Sequence, residues 1–321
     1  MAIEMMSTSS NTELQTHVKE PTQGNKPVLA EFLKATIPCT VSESPEFAGL
    51  KNVLLLSIPN SGERDGLCLL EGGKLYRFQL PGCTGLWLEG NRLFVSIMSP
   101  DSMTIQIYEP GHSVETIISC KLGDIHDVRI IDGKLYVVST GTNEVIIVGM
   151  DGSLSKSWKM EGYGDSCHLN CLELWDGRLV ATAFGKFKTY RGYKGRTSGS
   201  GVLLDVKTKE ILQEGYSAPH TPRRDEKGGI FVCDSRAGDV DYRFNGEKRK
   251  ISFPGTFPRG LAFTKDLLYV GLSSLRHRKD LTFNNELARS GQLAIVDRNT
   301  FETLKVVPLP QAEIYDILIL D

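Results

Sequence analysis

The sequence predicts an all-β fold, a six-bladed β-propeller of four-stranded antiparallel blades closed by strands from the N- and C-terminal parts of the chain. Three observations support this prediction. A motif of the form Gly-x-Leu-aromatic-Val recurs along the chain, polar segments recur before it, and two of these segments, at His126 and His168, are 42 residues apart. Four strands repeated every 40–45 residues are typical of a propeller blade.

The recurrent motif marks the second strand of each unit, after a tight turn such as Asp176-Gly177. Its occurrences are Gly90–Val95, Gly133–Val137, Gly177–Ala181, Gly229–Val232 and Asp266–Val270. The unit that opens at His126 shows all four strand-like runs. These runs are Asp127–Ile131, Lys134–Ser139, Glu144–Gly149 and Ser153–Met160.

Six units open with a polar or turn-forming segment. The openings are Thr84-Gly85, His126, His168, His220, Pro258-Arg259 and Tyr315-Asp316. Only one strand follows the last opening, so we expect Glu313–Leu320 to pair with Lys51–Ser57 and close the ring. Closure removes exposed sheet edges. Five or seven blades remain alternatives because repeat boundaries are hard to place, and neither Trp-Asp nor Kelch repeats are present.

Residues 46–321 are therefore predicted to form a single propeller domain. Residues 1–45 are predicted to be a partly disordered extension with a short amphipathic helix near 27–35. The formal net charge of −2 gives no bulk attraction for nucleic acid. No apolar run approaches a membrane span and the first residues do not resemble a signal peptide, so we expect a cytoplasmic protein without membrane contact.

Two segments interrupt the repeat between the second and third strands of their blades, at residues 185–201 and 274–290. That connection lies at the end of a blade where the inner strand starts. We therefore expect both insertions to lie over the same face as the histidines, as lids or walls of a central pocket. The first insertion alternates basic and aromatic residues, a pattern that also occurs in single-stranded nucleic-acid sites. One such loop on a protein of nearly neutral charge is weak support for nucleic-acid binding. We therefore favour a solvated lid that attracts an anionic substrate.

Three histidines, His126, His168 and His220, occupy matched positions in consecutive units. Inner strands line the channel of a propeller, so these side chains are predicted to converge at its mouth. Three imidazoles with an open fourth position suit a divalent transition metal, Zn, Fe, Mn or Cu. Hydrogen bonding or acid–base catalysis is the alternative. A single histidine at a strand start is more often a turn or core residue, and the three precede their second strands by unequal distances.

Several other polar residues are predicted to surround this site. Asp316 and Tyr315 are candidate catalytic groups, and Asp127 and Glu173 are candidates to orient imidazoles. Candidate substrate-binding residues are Arg223, Arg259, Arg276, Asn170 and Asp127. Guanidinium groups around one pocket predict a small anionic ligand, whereas rim ion pairs are the alternative.

The seven cysteines do not predict disulfides, because several lie within apolar strands. Cys167 and Cys171 flank His168, which raises the possibility of zinc. Strand alternation directs Cys171 into the sheet, and no second cysteine pair completes a tetrahedral site. A cysteine-containing metal site is therefore disfavoured.

Six short segments together resemble a bacterial family of β-propeller proteins described as a domain of unknown function. They are Asp165–Leu172, Pro219–Arg223, Cys233–Gly238, Phe257–Phe263, Val270–Arg276 and Ile314–Ile317. The resemblance covers about residue 50 onwards and implies a propeller but no reaction. It marks His126, His168, His220, Arg223, Arg259 and Arg276 as the patterned polar positions. The sequence departs from the family at Arg224, where an aromatic residue is usual, and at Cys171, where glycine is usual.

The architecture is more distantly similar to lactonases and strictosidine synthases, and in principle to carotenoid-cleaving oxygenases. Three functions follow as hypotheses. The first is a metal-dependent enzyme that performs hydrolysis, elimination or isomerisation on a small anionic metabolite. The second is a histidine-ligated iron or copper oxidoreductase, and the third is a non-catalytic propeller that binds a ligand or a protein. The absence of a nucleophile elbow, a phosphate loop and a His-Glu-x-x-His motif argues against serine hydrolases and nucleotide hydrolases.

Overall fold

A computed structural model describes residues 26–60, 64–98, 102–119, 121–274 and 290–321. Within these ranges the chain contains one α-helix, α1 (Lys26–Thr36), one 3₁₀-helix (Pro45–Phe47) and 25 strands. The strands form six antiparallel sheets arranged as the blades of a six-bladed propeller, which confirms the predicted fold class. No helix within the described ranges is long and apolar enough to cross a membrane.

Blade 1 contains β1 (Cys39–Glu43), β2 (Leu54–Ser57), β3 (Leu67–Glu71), β4 (Lys74–Phe78) and β25 (Asp316–Ile319). Blade 2 contains β5 (Cys83–Glu89), β6 (Arg92–Ile97), β7 (Met103–Tyr108) and β8 (Glu115–Ser119). Blade 3 contains β9 (Ile125–Ile131), β10 (Lys134–Ser139), β11 (Glu144–Val148) and β12 (Leu154–Lys159).

Blade 4 contains β13 (Leu169–Trp175), β14 (Arg178–Ala183), β15 (Gly201–Asp205) and β16 (Ile211–Tyr216). Blade 5 contains β17 (Pro219–Arg224), β18 (Ile230–Asp234), β19 (Asp239–Phe244) and β20 (Glu247–Ser252). Blade 6 contains β21 (Phe257–Phe263), β22 (Leu267–Ser273), β23 (Gln292–Asp297) and β24 (Thr303–Pro308).

The inner strands β5, β9, β13, β17, β21 and β25 contact one another in succession, and β25 returns to β5. The ring closes as predicted, because β25 pairs antiparallel with β2 and places Asp316 opposite Ser57. The backbone N–H of Tyr315 also donates to the Ser57 carbonyl at 2.8 Å. Tyr315 and Asp316 therefore join the other inner-strand residues at the channel.

Two-residue turns connect the inner and second strands of blades 3 and 4. Asp132-Gly133 and Asp176-Gly177 have positive φ at both positions, the conformation that Asp-Gly turns adopt in tight hairpins. The predicted turn at Asp176-Gly177 is thus present, and the four strands of blade 3 agree closely with the runs predicted from sequence.

The hydrophobic core lies between neighbouring blades. Phe94 and Ile105 from blade 2, for example, pack with Val128 and Val137 from blade 3, and all four are nearly inaccessible to solvent. Burying one such side chain contributes roughly 1.5–3 kcal/mol before entropy is counted. These interfaces hold the inner strands around a common axis.

Part of the segment between residues 26 and 45 belongs to the first blade. Strand β1 pairs with β4 and adds a fifth, outer strand, while Leu29 and Leu33 of α1 pack against Leu55 and Leu86. The first insertion lies between β14 and β15, as predicted. The second lies between β22 and β23, but its residues 275–289, including Arg276, lie outside the described ranges.

Candidate functional site

The inner strands bring several aromatic rings to one end of the channel. His126 is on β9, His220 is on β17, and His168 immediately precedes β13. The ring centroids of His126 and His168 are 5.0 Å apart, and Tyr315 lies 5.5 Å from His126 and 6.1 Å from His220. Phe184 lies 4.3 Å from His168 and 5.3 Å from His220.

His126 has an oxygen acceptor at each ring nitrogen. Nδ1 lies 2.9 Å from Asn170 Oδ1, and Nε2 lies 3.2 Å from Asp124 Oδ1. The Asn170 amide nitrogen donates to the carbonyls of His168 and Pro219, which fixes its oxygen towards His126. Both imidazole nitrogens are therefore donors, as in a protonated histidine.

The electrostatics of His126 agree with this assignment. Burial alone lowers the pKa of the ring, but the Asp124 carboxylate and the hydrogen bonds raise it above the ordinary value. Burial raises the pKa of Asp124, yet the neighbouring His126 charge brings it down to about 2. His126 and Asp124 thus form a partly buried ion pair.

His168 has a different environment. Its Nδ1 lies 2.9 Å from Asp165 Oδ1, so the ring donates from Nδ1, and no described residue forms a hydrogen bond to Nε2. Burial lowers the pKa of His168 below its ordinary value, although Asp165 opposes this shift. A neutral imidazole with an available Nε2 lone pair can accept a proton or bind a metal.

His220 has the same pattern through other partners. Its Nδ1 lies 3.0 Å from the Ala218 carbonyl and 2.8 Å from Ser235 Oγ. The Ser235 hydroxyl donates to the Pro258 carbonyl, so it accepts from His220. Burial, followed by the positive charge of Arg259, holds the pKa of His220 well below its ordinary value. Within the described ranges Nε2 has no hydrogen-bond partner.

Tyr315 connects the histidines to a second group of channel residues. The side chain is 3% exposed, and its hydroxyl oxygen lies 3.9 Å from the sulfur of Cys171. Burial raises the pKa of Tyr315 well above its ordinary value. The phenol therefore remains protonated at neutral pH.

The second group consists of ion pairs. Arg223 binds Asp316 at 2.6 Å, and Arg129 lies 3.4 Å from Asp127. All four side chains are no more than 12% exposed. We call these four residues the paired layer.

The two carboxylates of the paired layer are held in the same way. Asp127 accepts the backbone N–H of Val128 and that of Leu172 on the next blade, at 2.9 and 2.8 Å. Asp316 likewise accepts from Ile317 at 3.0 Å and from Leu86 on the next blade at 3.2 Å. Each carboxylate therefore links neighbouring inner strands.

These contacts differ from several sequence-based expectations. Asp127 and Glu173 bind backbone amides, not imidazoles, since Glu173 accepts from Leu174 N. Asp316 pairs with Arg223, which also donates to the Pro222 carbonyl. Arg259 forms an ion pair with Glu313. Asn170, predicted to bind substrate, lies beside His126 and accepts a hydrogen bond from it.

Arg259 is the predicted arginine that the structure places beside the histidines. Its guanidinium lies 2.9 Å from Glu313, 4.9 Å from the Phe257 ring and 5.7 Å from the Tyr315 ring. The side chain is 12% exposed. It brings positive charge to the channel end that holds His220.

The three histidines do not fit a three-ligand metal centre in this arrangement. His126 donates through both nitrogens, which leaves only His168 and His220 with an available Nε2 atom. Within the described ranges no group of at least three His, Cys, Asp or Glu side chains is placed to hold a metal ion. The hydrogen bonds of these rings suit acid–base chemistry better than coordination by all three.

The insertion 185–201 packs over His168. The Tyr193 ring lies 4.6 Å from the His168 ring, and the Tyr193 hydroxyl donates to Asp165 at 2.7 Å. Arg191 Nε donates to the same carboxylate at 3.3 Å. Phe184 and Tyr193 are each 8% exposed, and both rings pack against His168.

The site also contains three residues that the sequence analysis did not predict as site residues, namely Asp124, Asp165 and Tyr193. Asp165 carried a detectable signal, since it stands three residues before His168 in the polar segment. Tyr193 lies within the alternation of basic and aromatic residues in the first insertion. The identity of its partner depends on how that insertion folds back.

Two cavities lie away from the histidines. One of about 200 Å³ is lined by Asn60, Gln311 and Glu313, so it borders the carboxylate that binds Arg259. Another of about 130 Å³ lies between blades 5 and 6 and is lined by Arg249 and Arg298 among others. Neither is lined by the three histidines.

The chain belongs to the family described as "Domain of unknown function (DUF4915)", which matches residues 114–321. This finding confirms the resemblance inferred from the short segments. No curated protein matches the chain.

Solved structures share the fold at low sequence identity. A nidogen/laminin complex aligns over 84% of this chain and 98% of the other, with 12% identity and a TM-score of 0.59. A Bacteroides caccae protein of unknown function aligns over 84% and 99%, with 12% identity and a TM-score of 0.58. Virginiamycin B lyase from Staphylococcus aureus aligns over 85% and 89%, with 10% identity and a TM-score of 0.52. At this identity the similarity shows the fold alone.

Proposed function

We propose that this member of the DUF4915 family is an enzyme that moves a proton on a small anionic molecule, in an elimination or an isomerisation. His168 is the base, His220 binds the substrate, and Arg259 and protonated His126 supply positive charge. The observation that carries the proposal is the matched state of His168 and His220. Each donates from Nδ1 to a fixed acceptor and has an Nε2 atom with no hydrogen-bond partner among the described residues.

Asp165 makes His168 the better base of the two. Its carboxylate opposes the loss of basicity that burial causes, whereas His220 faces the positive charge of Arg259. His168 Nε2 takes a proton from a substrate carbon and becomes an imidazolium. It then returns the proton to another carbon in an isomerisation, or gives it to a leaving group in an elimination. His220 Nε2 accepts a hydrogen bond from a substrate hydroxyl or amide.

The positive groups suit an anion that gains charge during proton removal. His126 is held in its charged form by Asp124, and Arg259 lies over the Tyr315 ring. Preorganised charges in a site that excludes water stabilise developing negative charge more strongly than they do in water. Virginiamycin B lyase has a similar fold, and a histidine-to-alanine variant of that protein is described as catalytically inactive. This similarity in fold is a reason to include elimination among the reactions tested.

Proton exchange tests this proposal. Purified protein is incubated in ²H₂O with a panel of hydroxy acids, amino acids, sugar acids and phosphate esters, and ¹H NMR follows deuterium incorporation or product formation. We expect turnover of at least one anion, a decrease of about 10²–10⁴-fold in His168→Gln, and full activity after chelator treatment. His112→Gln is the matched control, because His112 is an exposed histidine outside the site.

Metal dependence remains a prediction that the same assay separates from metal-free acid–base catalysis. Activity lost on chelation and restored by Zn, Fe, Mn or Cu would replace our proposal by metal-dependent chemistry at His168 and His220. A redox-active iron or copper in elemental analysis would favour an oxidoreductase. The cytoplasmic location and the absence of nucleic-acid and membrane partners also remain predictions.

A non-catalytic role is the second candidate, and the similarity to a propeller in a nidogen/laminin complex favours it. It requires a ligand or protein to bind without conversion. Turnover of no panel member, combined with an intact site by NMR, would support this role over the enzyme.

A further inference from the structure

The carboxylate of Asp165 joins His168 to the insertion 185–201. Oδ1 lies 2.9 Å from His168 Nδ1, while Oδ2 accepts from the Tyr193 hydroxyl at 2.7 Å and from Arg191 Nε at 3.3 Å. Asp165 is 1% exposed. One oxygen therefore serves the histidine, and the other serves two donors of the insertion.

The backbone holds the insertion in the same position. Arg191 N donates to the Asp165 carbonyl at 2.8 Å, and Tyr163 N donates to the Lys188 carbonyl at 3.1 Å. Arg191 adopts a positive φ of 51°, and both its backbone N–H and its Nε–H donate to Asp165. The packed position of the insertion and the occupation of Asp165 Oδ2 therefore coincide in this structure.

We propose that Asp165 is a positioning residue that couples the docked insertion to the tautomer and basicity of His168. The proposal rests on the function of His168 given above. When the insertion is docked, two donors neutralise part of the carboxylate charge, and Oδ1 holds the Nδ1–H tautomer with Nε2 facing away from the carboxylate.

Undocking reverses this state. Without the donors of Tyr193 and Arg191, the negative charge of the Asp165 carboxylate is less compensated. The carboxylate then stabilises the protonated form of His168 more strongly. The pKa of His168 then rises, and the ring is more often protonated and unable to act as a base. The coupling would therefore confine an active base to the closed site, where water is excluded.

Replacing Asp165 by Asn gives a sharp test because an amide has one acceptor and one donor end. Arg191 Nε–H can only donate, so we expect the amide oxygen to face Arg191 and Tyr193. The amide NH₂ then faces His168 Nδ1, which must become an acceptor. In Asp165→Asn the proton of neutral His168 should move to Nε2.

Removal of the insertion's donors should reverse this effect. In the combined variant Asp165→Asn, Arg191→Met and Tyr193→Phe, residues 191 and 193 no longer have side-chain donors. The amide at position 165 can then rotate its oxygen towards His168 and restore the Nδ1–H tautomer. Long-range ¹H–¹⁵N correlation spectra of the full chain labelled with ¹⁵N-histidine distinguish the tautomers. Persistence of Nδ1–H in Asp165→Asn would overturn the proposal.

Tyr193→Phe provides a second test if the Asp165 variants do not fold. It removes one donor from Oδ2 and keeps the ring, so the pKa of His168 should rise by roughly half a unit. Tyr190→Phe is the matched control in the same insertion, because Tyr190 is 56% exposed and its ring lies beside the Arg191 guanidinium instead of the carboxylate. Equal shifts in both variants, or no shift in Tyr193→Phe, would contradict the coupling.

Proton exchange separates this inference from the function on which it rests. Expected tautomers and pKa shifts without exchange on any substrate would refute the catalytic role of His168 and support the coupling. Exchange that depends on His168 but keeps the same pH profile in Tyr193→Phe would support the catalytic role and refute the coupling.

Discussion

The channel contains two polar regions that use similar residues in opposite ways. In the paired layer, Arg223 and Asp316, like Arg129 and Asp127, face one another and the carboxylates also bind backbone amides. At the histidine end, His168 and His220 each have one nitrogen with no hydrogen-bond partner among the described residues. The comparison indicates that buried ion pairs which also bind backbone amides maintain the ring, whereas the imidazoles that have such a nitrogen are the groups proposed to carry the chemistry.

The largest expected effect breaks the paired layer. Arg223→Met leaves Asp316 buried without its guanidinium partner, and loss of one member of a buried pair costs about 3–5 kcal/mol. Urea unfolding should show this decrease in the free energy of unfolding. A decrease below about 1 kcal/mol would mean that the backbone amides alone hold Asp316.

A smaller effect is expected when the histidine end is changed. His220→Gln should decrease proton exchange with a smaller loss of stability than Arg223→Met, because no buried charge is left unpaired and a glutamine amide can still donate to Ala218 or Ser235. The Michaelis constant should rise more than the turnover number falls, since His220 is proposed to bind substrate. Equal losses in both quantities would assign His220 a role in the chemical step.

The dependence of stability on pH distinguishes the histidines from one another. His168 and His220 have lowered pKa values in the folded state, so their stabilisation is full above the unfolded value of about 6.5 and is lost as pH falls through their folded values. His126 has a raised pKa, so its contribution is full below about 6.5 and is lost as pH rises through its folded value.

Unfolding midpoints at several pH values test these signs. His220→Gln should reduce the loss of stability on acidification, whereas His126→Gln should reduce the loss on the alkaline side. His112→Gln, at an exposed position outside the site, is the control variant. Slopes of the opposite sign would contradict the protonation states assigned to His126 and His220.

The smallest effect serves as a reference for the paired layer. Arg178 and Glu210 also form an ion pair at 2.6 Å, but their side chains are 46% and 56% exposed. Solvent screens such a pair, so Arg178→Met should change the free energy of unfolding by less than about 1 kcal/mol. Similar decreases in the free energy of unfolding in Arg178→Met and Arg223→Met would show that burial does not determine how much each ion pair contributes.

The fold was predictable from the sequence because its signals are local and repeated. Asp176-Gly177 fixes a hairpin, and the recurrent second-strand motif marks five of the six blades. Ring closure also followed, since a strand at Asp316–Ile319 lacks partners next to it in the sequence. Each of these predictions depends on periodicity or on a strand that has no pairing partner nearby in the sequence.

The site was less predictable because its chemistry depends on contacts between distant residues. His126 occupies the same position in its repeat unit as the other two histidines do in theirs. Asn170, which is 44 residues away in the sequence, nevertheless determines that His126 Nδ1 donates. Arg223 pairs with Asp316 across 93 residues, which no local pattern reveals. Asp165 is the exception, because its spacing to His168 is short enough to suggest an orienting carboxylate.

Closure of the ring has a consequence for biosynthesis. Strand β2 lies near residue 55, but its partner β25, which follows Tyr315, is about 260 residues later. During translation, blade 1 lacks its inner strand, and His126 and His220 lack the ring between them, until that segment has emerged from the ribosome. The candidate site is thus completed late, and premature termination before Tyr315 would yield chains without it.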